Sequence, residues 1–342
     1  MKIDAYSHIL PPRYFAEMRK HVKNPEALKR WLELPALHDV DARLAMMQEF
    51  GDGYRQILTL SSPPIELLAG PGDSWALARL ANETMRELCD AHPDRFPAFV
   101  ASLPLNSPDA CMEEIDHAVG VLGARGVQIF TNVNGVALDR AGLEPVFAEM
   151  ERRDLPIWMH PTRAADFPDY ATENRSEYEI WWALGWPYET SAAMARLVFS
   201  GVLSRHPRLK IITHHMGAMI PFLEGRIGLG WIDQLGSRTA DAAYEGLTDG
   251  LQVDPRESFR AFYADTALSG SAIGTRCGLE FFGVDHVVFA SDCPFDPEGG
   301  PLYIREMIKV VDELDISDDE RHRIYGRTIL TLMRLEENLD GP

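Results

Sequence analysis

This sequence predicts an α/β fold of the (β/α)8 barrel type, and three observations point there. First, short apolar runs alternate with longer amphipathic stretches along almost all of the 342 residues. Second, four of the apolar runs end on histidine or aspartate. Met1-Lys2-Ile3-Asp4-Ala5 leads to His8, and Leu155-Pro156-Ile157-Trp158-Met159 leads to His160. Lys210-Ile211-Ile212-Thr213 leads to His214 and His215, and Val287-Val288-Phe289-Ala290 leads through Ser291 to Asp292. Parallel strands deliver polar side chains in this way from their carboxyl ends to one rim of a barrel. Third, no glycine-rich phosphate loop follows any strand, so the alternative of a doubly wound, nucleotide-binding sheet has no support.

Taken in order, residues 2–5 predict the first strand, and residues 8–37 a long irregular arm rich in proline and aromatic residues. Asp39-Val40-Asp41 opens a helix through Phe50, with acidic side chains at its positive end. Strands follow at 56–60 and 97–102, separated by an amphipathic helix over 74–91. Asn106-Ser107-Pro108 starts a helix that runs to about Leu122. The alternation continues with a strand at 126–130, a helix at 141–152 and a strand at 156–159. Residues 161–186 read as a lid-like insertion after the fifth strand, and residues 188–203 as the helix behind it. Strands at 209–213, 261–264 and 286–290 alternate with helices at 218–233 and 271–282. Helices at 301–313 and 317–335 close the chain. That makes eight strands in one domain over residues 1–342, with insertions after strands one and five and C-terminal helices.

Composition bounds the function classes. With 46% hydrophobic and 25% charged residues the proportions are those of a globular chain. A formal charge of −19 argues against nucleic acid and anionic membrane as partners, yet leaves room for a small anionic substrate held by a local arginine. No run is apolar and long enough to span a bilayer, and no basic-then-apolar leader opens the chain. The four cysteines are scattered and form no CxxC pair, which fits a reduced, cytoplasmic setting.

His8, His160 and Asp292 follow the first, fifth and eighth strands. Two imidazoles and a carboxylate are a competent ligand set for a divalent metal, zinc first and manganese second, with a position left for water. Adjacent residues on a strand point oppositely, so only one of His214 and His215 is expected at the barrel mouth. A histidine beside a metal suits general acid/base work, because its pKa lies near neutrality.

Together these residues resemble the amidohydrolase superfamily, in its branch of metal-dependent, non-oxidative decarboxylases. The matching pieces are Ile3-Asp4-Ala5-Tyr6-Ser7-His8, Met159-His160-Pro161, residues 182–190 and 206–211, His215-Met216-Gly217, Gly225-Arg226-Ile227 and Ser291-Asp292-Cys293-Pro294-Phe295. The resemblance implies His8, His160 and Asp292 as metal ligands and His215, with Asp292, as the catalytic pair. It implies Arg43 and Arg226 as grips for a substrate carboxylate, Arg226 reaching the neighbouring subunit's site in a homodimer. Trp182 and Phe295 then wall the pocket. One position departs from the family: Tyr6 stands where a histidine or glutamate ligand is expected. A phenol with a pKa near 10 is a poor substitute. Three readings are open: the other three ligands hold the metal with extra water, Tyr6 binds as phenolate or hydrogen-bonds substrate, or the site has lost its metal. The functions to weigh are a decarboxylase of an aromatic or muconate-like acid, a metal-dependent hydrolase of a lactone, ester, amide or C–C bond, and a non-catalytic binder.

Overall fold

The computed structural model describes residues 1–22, 29–239 and 241–335. Its strands are β1 (Lys2–Ile9), β2 (Tyr54–Leu60), β3 (Ala98–Phe99), β4 (Ala101–Ser102), β5 (Val127–Phe130), β6 (Asn132–Val133), β7 (Val136–Ala137), β8 (Ile157–His160), β9 (Ile211–Thr213), β10 (Tyr263–Asp265) and β11 (Val287–Val288). They form a mixed α/β fold with two parallel sheets, in the orders β1-β2-β3 and β11-β10-β9-β8-β5-β4, plus a small antiparallel β6-β7 hairpin. β3 and β4 are separated only by Val100, whose N–H donates to Leu58. At the other end, Ala5 donates to Phe289 and His8 to Cys293, each at 2.8 Å. Backbone hydrogen bonds therefore join the two sheets on both sides.

The strands are short and buried on both faces, so their runs are continuously apolar rather than alternating. A larger core fills the space between strands and helices. A smaller one gathers Ile3, Ala5, Tyr6, Ile57, Val100, Trp158, Ile212, Val288 and Ala290 with Ile329, Leu330 and Leu332 of the last helix and Met333 at its end. Ala5 and Tyr6 are neighbours in sequence, and strict alternation would send them to opposite faces. The β1-β2 register slips between Asp4 and Ser7, and that irregularity turns both inward. The Tyr6 N–H falls in the slip and is taken by the Asp4 carboxylate at 3.3 Å.

Several elements differ from expectation. The arm after β1 is not wholly irregular: Pro12–His21 is a helix with Pro at its start and Tyr14, Phe15 and Met18 on the buried face. Residues 23–28 of that arm lie outside the described residues. The helix expected at 218–233 is a turn followed by a π-helical stretch, Arg226–Ile232, where three glycines sit within six residues from Gly225. The closing helix expected over 317–335 is broken by a π segment, Arg323–Arg327, next to Gly326. Among the described residues no helix is long and apolar enough to cross a membrane, and all four cysteines are unpaired.

Gly126 marks the tightest approach of the strand layer. A Cβ there would stand 2.4 Å from the Trp158 ring and 2.6 Å from the Pro156 carbonyl. Trp158 cannot yield, because its indole N–H donates to the Ala5 carbonyl at 2.9 Å. Gly126→Ala is expected to destabilise the fold by about 3 kcal/mol, at the upper end of overpacking costs. Urea unfolding measures it, and a midpoint equal to wild type would mean that Trp158 has room to move.

Candidate active site

Four strand ends bring their side chains together. His8 sits near the end of β1, His160 ends β8, His214 follows β9, and Asp292 lies four residues past β11. Each of the three imidazoles is oriented from behind through its Nδ1. His8 Nδ1 lies 3.4 Å from Thr59 Oγ1, whose own proton goes to the Ser7 carbonyl. His160 Nδ1 donates to the Pro161 carbonyl at 2.6 Å, and His214 Nδ1 to Asp265 Oδ2 at 2.6 Å. An imidazole tied at Nδ1 turns its Nε2 to the opposite side. The Nε2 atoms of His8 and His214 are buried and have no hydrogen-bond partner. They stand 3.1 and 3.4 Å from Asp292 Oδ1 without the geometry of a hydrogen bond.

Donor atoms of His8, His160 and His214 lie within 4.8 Å of one another, as do those of His214, His215 and Asp292. Leaving a buried polar atom unpartnered costs roughly 1–3 kcal/mol. Two such atoms aimed at one carboxylate are what a cation would satisfy at once. The residues present therefore fit a divalent metal, with His8, His160, His214 and Asp292 facing it. The charge states of His8, His160 and Asp292 agree, and His214 would face the ion after giving up its Nε2 proton. Burial keeps the His8 and His160 pKa values below the ordinary 6.5, so both are neutral and can donate a lone pair. Burial alone would raise the Asp292 pKa, but its contacts with His214, His215 and His8 hold it well below 3.8.

Of His214 and His215 only His215 lines the cavity, but His214 also turns its ring to the cluster rather than away from it. β9 ends at Thr213, and the chain then enters the left-handed region, with φ of 57° at His215 and 55° at Met216. Alternation stops where the strand stops, and the two rings lie tilted against each other with centroids 3.7 Å apart. Asp265 fixes this turn by accepting from His214 Nδ1 and, at 3.0 Å, from the His215 backbone N–H. A Met216 side chain seated against Gly278 holds the next residue, since a Cβ at 278 would come within 2.0 Å of it. Burial pulls the His214 pKa down, but Asp265 and Asp292 outweigh it and raise the value to about 10. Burial, and then the His214 charge, keeps His215 below 6.5.

Asp265 escaped the sequence reading although the signal was there. It ends the strand Tyr263-Ala264-Asp265 as Asp292 follows its own run, but the strand was expected to stop at Ala264. Asp4 was missed too. Its carboxylate accepts from Tyr54 at 2.7 Å, from the Ser291 N–H at 3.1 Å and from the Ser291 hydroxyl, tying β1 to the approach to Asp292.

Tyr6 stacks on His214 with centroids 4.2 Å apart, and its hydroxyl donates to Gln128 Oε1 at 3.4 Å. Burial, with Asp265 and Asp292 nearby, raises its pKa well above 10. It lies behind the histidine cluster and does not line the cavity.

That cavity, about 490 Å³, opens over the cluster and is lined by His160, His215 and Asp292 at one end. Trp31, Trp181, Trp182, Trp186 and Phe295 supply flat apolar walls. Trp182 and Phe295 are thus where a pocket wall was expected. Arg43 and Arg226 are not brought to the cavity. Arg43 is fully buried, giving Nε to Gln56 and Nη1 to the His8 and Ala36 carbonyls. It braces the backbone that carries His8, since Nη1 bridges the carbonyls of β1 and a neighbouring helix, while Nη2 is buried without a hydrogen-bond partner. Arg226 is exposed at the start of the π-helical stretch.

The family model described as Amidohydrolase matches residues 3–335. A gamma-resorcylate decarboxylase of Rhodococcus jostii is 30% identical, over 90% of this chain and 91% of its own. A 2-amino-3-carboxymuconate-6-semialdehyde decarboxylase of Dictyostelium discoideum is 26% identical, over 99% and 93%. In fold, the chain matches a dihydroxybenzoic acid decarboxylase of Polaromonas sp. JS666, solved with manganese and the inhibitor 2-nitroresorcinol. That match has a TM-score of 0.76 and 24% identity, covering 98% of this chain and 97% of that one. The chain belongs to the amidohydrolase family, among its decarboxylases.

The Asp265–His214 pair makes a prediction for the EDTA-treated protein. Asp265→Asn removes the anion that raises the His214 pKa and leaves the burial that lowers it. The His214 value, followed by NMR of the imidazole, is expected to fall from about 10 to 6.5 or below. A value still near 10 would assign the whole shift to Asp292.

Proposed function

We propose that this member of the amidohydrolase family is a divalent-metal-dependent, non-oxidative decarboxylase of a small aromatic or muconate-like acid. The observation that carries the reading is the convergence of the unpartnered His8 and His214 Nε2 atoms on Asp292, at the end of an aromatic cavity. The backbone bonds linking the two parallel sheets support a closed (β/α)8 barrel, with the site at the carboxyl ends of its strands. The names of the relatives favour carbon–carbon lyase chemistry over hydrolysis.

His8, His160, His214 and Asp292 would hold the ion. His214 makes up the ligand that Tyr6 does not supply, and Asp265 fixes its tautomer from behind. The ion would supply a Lewis acid that draws charge onto a substrate oxygen. Imidazole and carboxylate ligands suit both zinc and manganese.

The remaining steps fall to protein groups. Trp181, Trp182, Trp186 and Phe295 sandwich a planar ring and exclude water. As the bond from ring carbon to carboxylate breaks, CO₂ leaves and the electron pair stays on carbon. His215 lines the cavity with its Nε2 3.7 Å from Asp292 Oδ2. His215 takes up a proton from solvent at Nε2, where the Asp292 carboxylate faces it, and passes that proton to the carbon, completing the new C–H bond. The low His215 pKa makes the imidazolium a strong acid toward a carbanion. Exposed Met219, Phe222, Leu229 and Trp231 lie close in sequence to Arg226 and suit a homodimer interface that would carry Arg226 toward a partner.

The test is CO₂ release from a panel of hydroxylated benzoic and muconic acids, with protein loaded with zinc or manganese. Turnover should vanish with EDTA and return with one of the two ions. His215→Asn is expected to lower kcat by about 10²–10⁴-fold while keeping its metal. His214→Ala is expected to lower metal content as well as rate, as read by elemental analysis after dialysis. Full metal retention in His214→Ala would return the site to His8, His160 and Asp292 alone.

A further inference from the structure

One cation lines the cavity among the described residues, and neither the sequence reading nor the family resemblance assigned it a role. It is Arg163, in the turn that follows His160 and Pro161. Its guanidinium is largely buried and poorly satisfied. Nη1 reaches Glu189 and Nη2 the Pro168 carbonyl, both at the long distance of 3.4 Å. Nε is buried without any hydrogen-bond partner. The group lies over the Phe167 ring at 4.1 Å. Gly185 fixes its stem: a Cβ at that position would come within 2.6 Å of Arg163 Cδ and 3.1 Å of Nε. The Arg163 carbonyl accepts from the Trp186 indole, so the cation and the aromatic wall are positioned together.

A largely buried guanidinium that lines a cavity walled with tryptophan, and whose Nη atoms hold their partners only at 3.4 Å, is built for a planar anion. Which anion follows from the reaction proposed above, on which this inference rests. The carboxylate that leaves as CO₂ loses its charge on the way to the transition state. A clamp on that group would stabilise the ground state more than the transition state and slow the step. A cation helps only if it grips an anion whose charge survives the reaction. We propose that Arg163 is a specificity-determining residue that binds a second acidic substituent of the substrate, leaving the reacting carboxylate to the histidine end of the cavity. The substrate class is therefore an aromatic acid with two anionic groups on one ring. Glu189 is the resident counter-ion that such a group displaces. Burial raises its pKa despite Arg163, in keeping with a loose pair.

Two pairs of compounds test this. Isophthalate and benzoate differ by one carboxylate and lack the ring hydroxyl, so they report binding without turnover. 4-Hydroxyisophthalate and salicylate are the corresponding pair with the hydroxyl. By calorimetry, wild-type protein should bind isophthalate at least tenfold more tightly than benzoate. Arg163→Ala should erase that preference, and Arg163→Lys should keep part of it. Gly185→Ala keeps the charge but moves the guanidinium, and should weaken isophthalate alone. In turnover, Arg163→Ala should raise KM for 4-hydroxyisophthalate at least tenfold with a smaller change in kcat, and leave salicylate unchanged. Equal affinity of wild type and Arg163→Ala for isophthalate overturns the inference, as does wild type binding benzoate as tightly. Binding that follows Arg163 without CO₂ release from any acid would leave the anion site standing and fail the decarboxylase reading. CO₂ release indifferent to Arg163 would do the reverse.

Discussion

The contact between Asp265 and the His214–His215 turn is the constraint on which the site depends. A strand that continued through both histidines would have sent one ring into the outer helices. Instead the chain bends at once into a left-handed stretch, and one carboxylate holds the bend at two points, a ring nitrogen and a backbone N–H. Left-handed backbone at non-glycine residues persists only where the surroundings over-determine it. Here they do: Asp265 grips from one side, and Met216 is locked against Gly278 from the other. Asp292 adopts the same unusual backbone, with φ of 66°, at the next strand end but one. The two strained points face each other across the cluster, and in the metal-free protein the attraction of His214 to Asp265 and Asp292 repays part of their cost.

Behind this lies a division of labour within β1. Its register slip brings Tyr6 to the inner face without displacing His8, and Asp4 uses the slip to collect a free N–H and to fasten Ser291. One short strand thus sets the floor of the site, one of its ligands and the approach to the carboxylate opposite. Arg43 belongs to the same system. Its fork takes the His8 carbonyl, so an arginine that the family resemblance implied for substrate acts in this chain through the backbone of a ligand. Among the described residues, the only arginine lining the cavity comes instead from the segment after β8, where local sequence gives no periodic signal.

Much of the frame was legible in the sequence. Apolar runs ending in His or Asp located His8, His160 and Asp292, because burial on both faces makes parallel strands continuous in hydrophobicity and their ends abrupt. His214 was misjudged because alternation was applied one residue beyond the strand. No rule based on periodicity sees a left-handed turn in residues that are not glycine. Asp265 was readable by the same signal as Asp292 and was lost to a boundary error of one residue. Arg163 was beyond reach, since its value lies in what surrounds it: a glycine that leaves room for its stem, a ring beneath it, and a carboxylate that does not saturate it.

The net charge sharpens the significance of that last residue. At −19 the chain repels an anionic substrate at long range, but screening removes most of that field beyond about 8 Å at physiological ionic strength. Selection therefore falls to the cavity, where Arg163 and a bound divalent ion would be the two centres of positive charge. A ring with a single carboxylate satisfies one of them and leaves the other with Glu189. A ring with two acidic groups satisfies both, and the separation of the two centres then decides which carboxylate meets His215 and leaves. Tyr6 fits this picture as a neutral spacer. A charged ligand in its place would have shifted the ion's net charge, whereas the phenol leaves that balance to Asp292 and the His214–Asp265 pair.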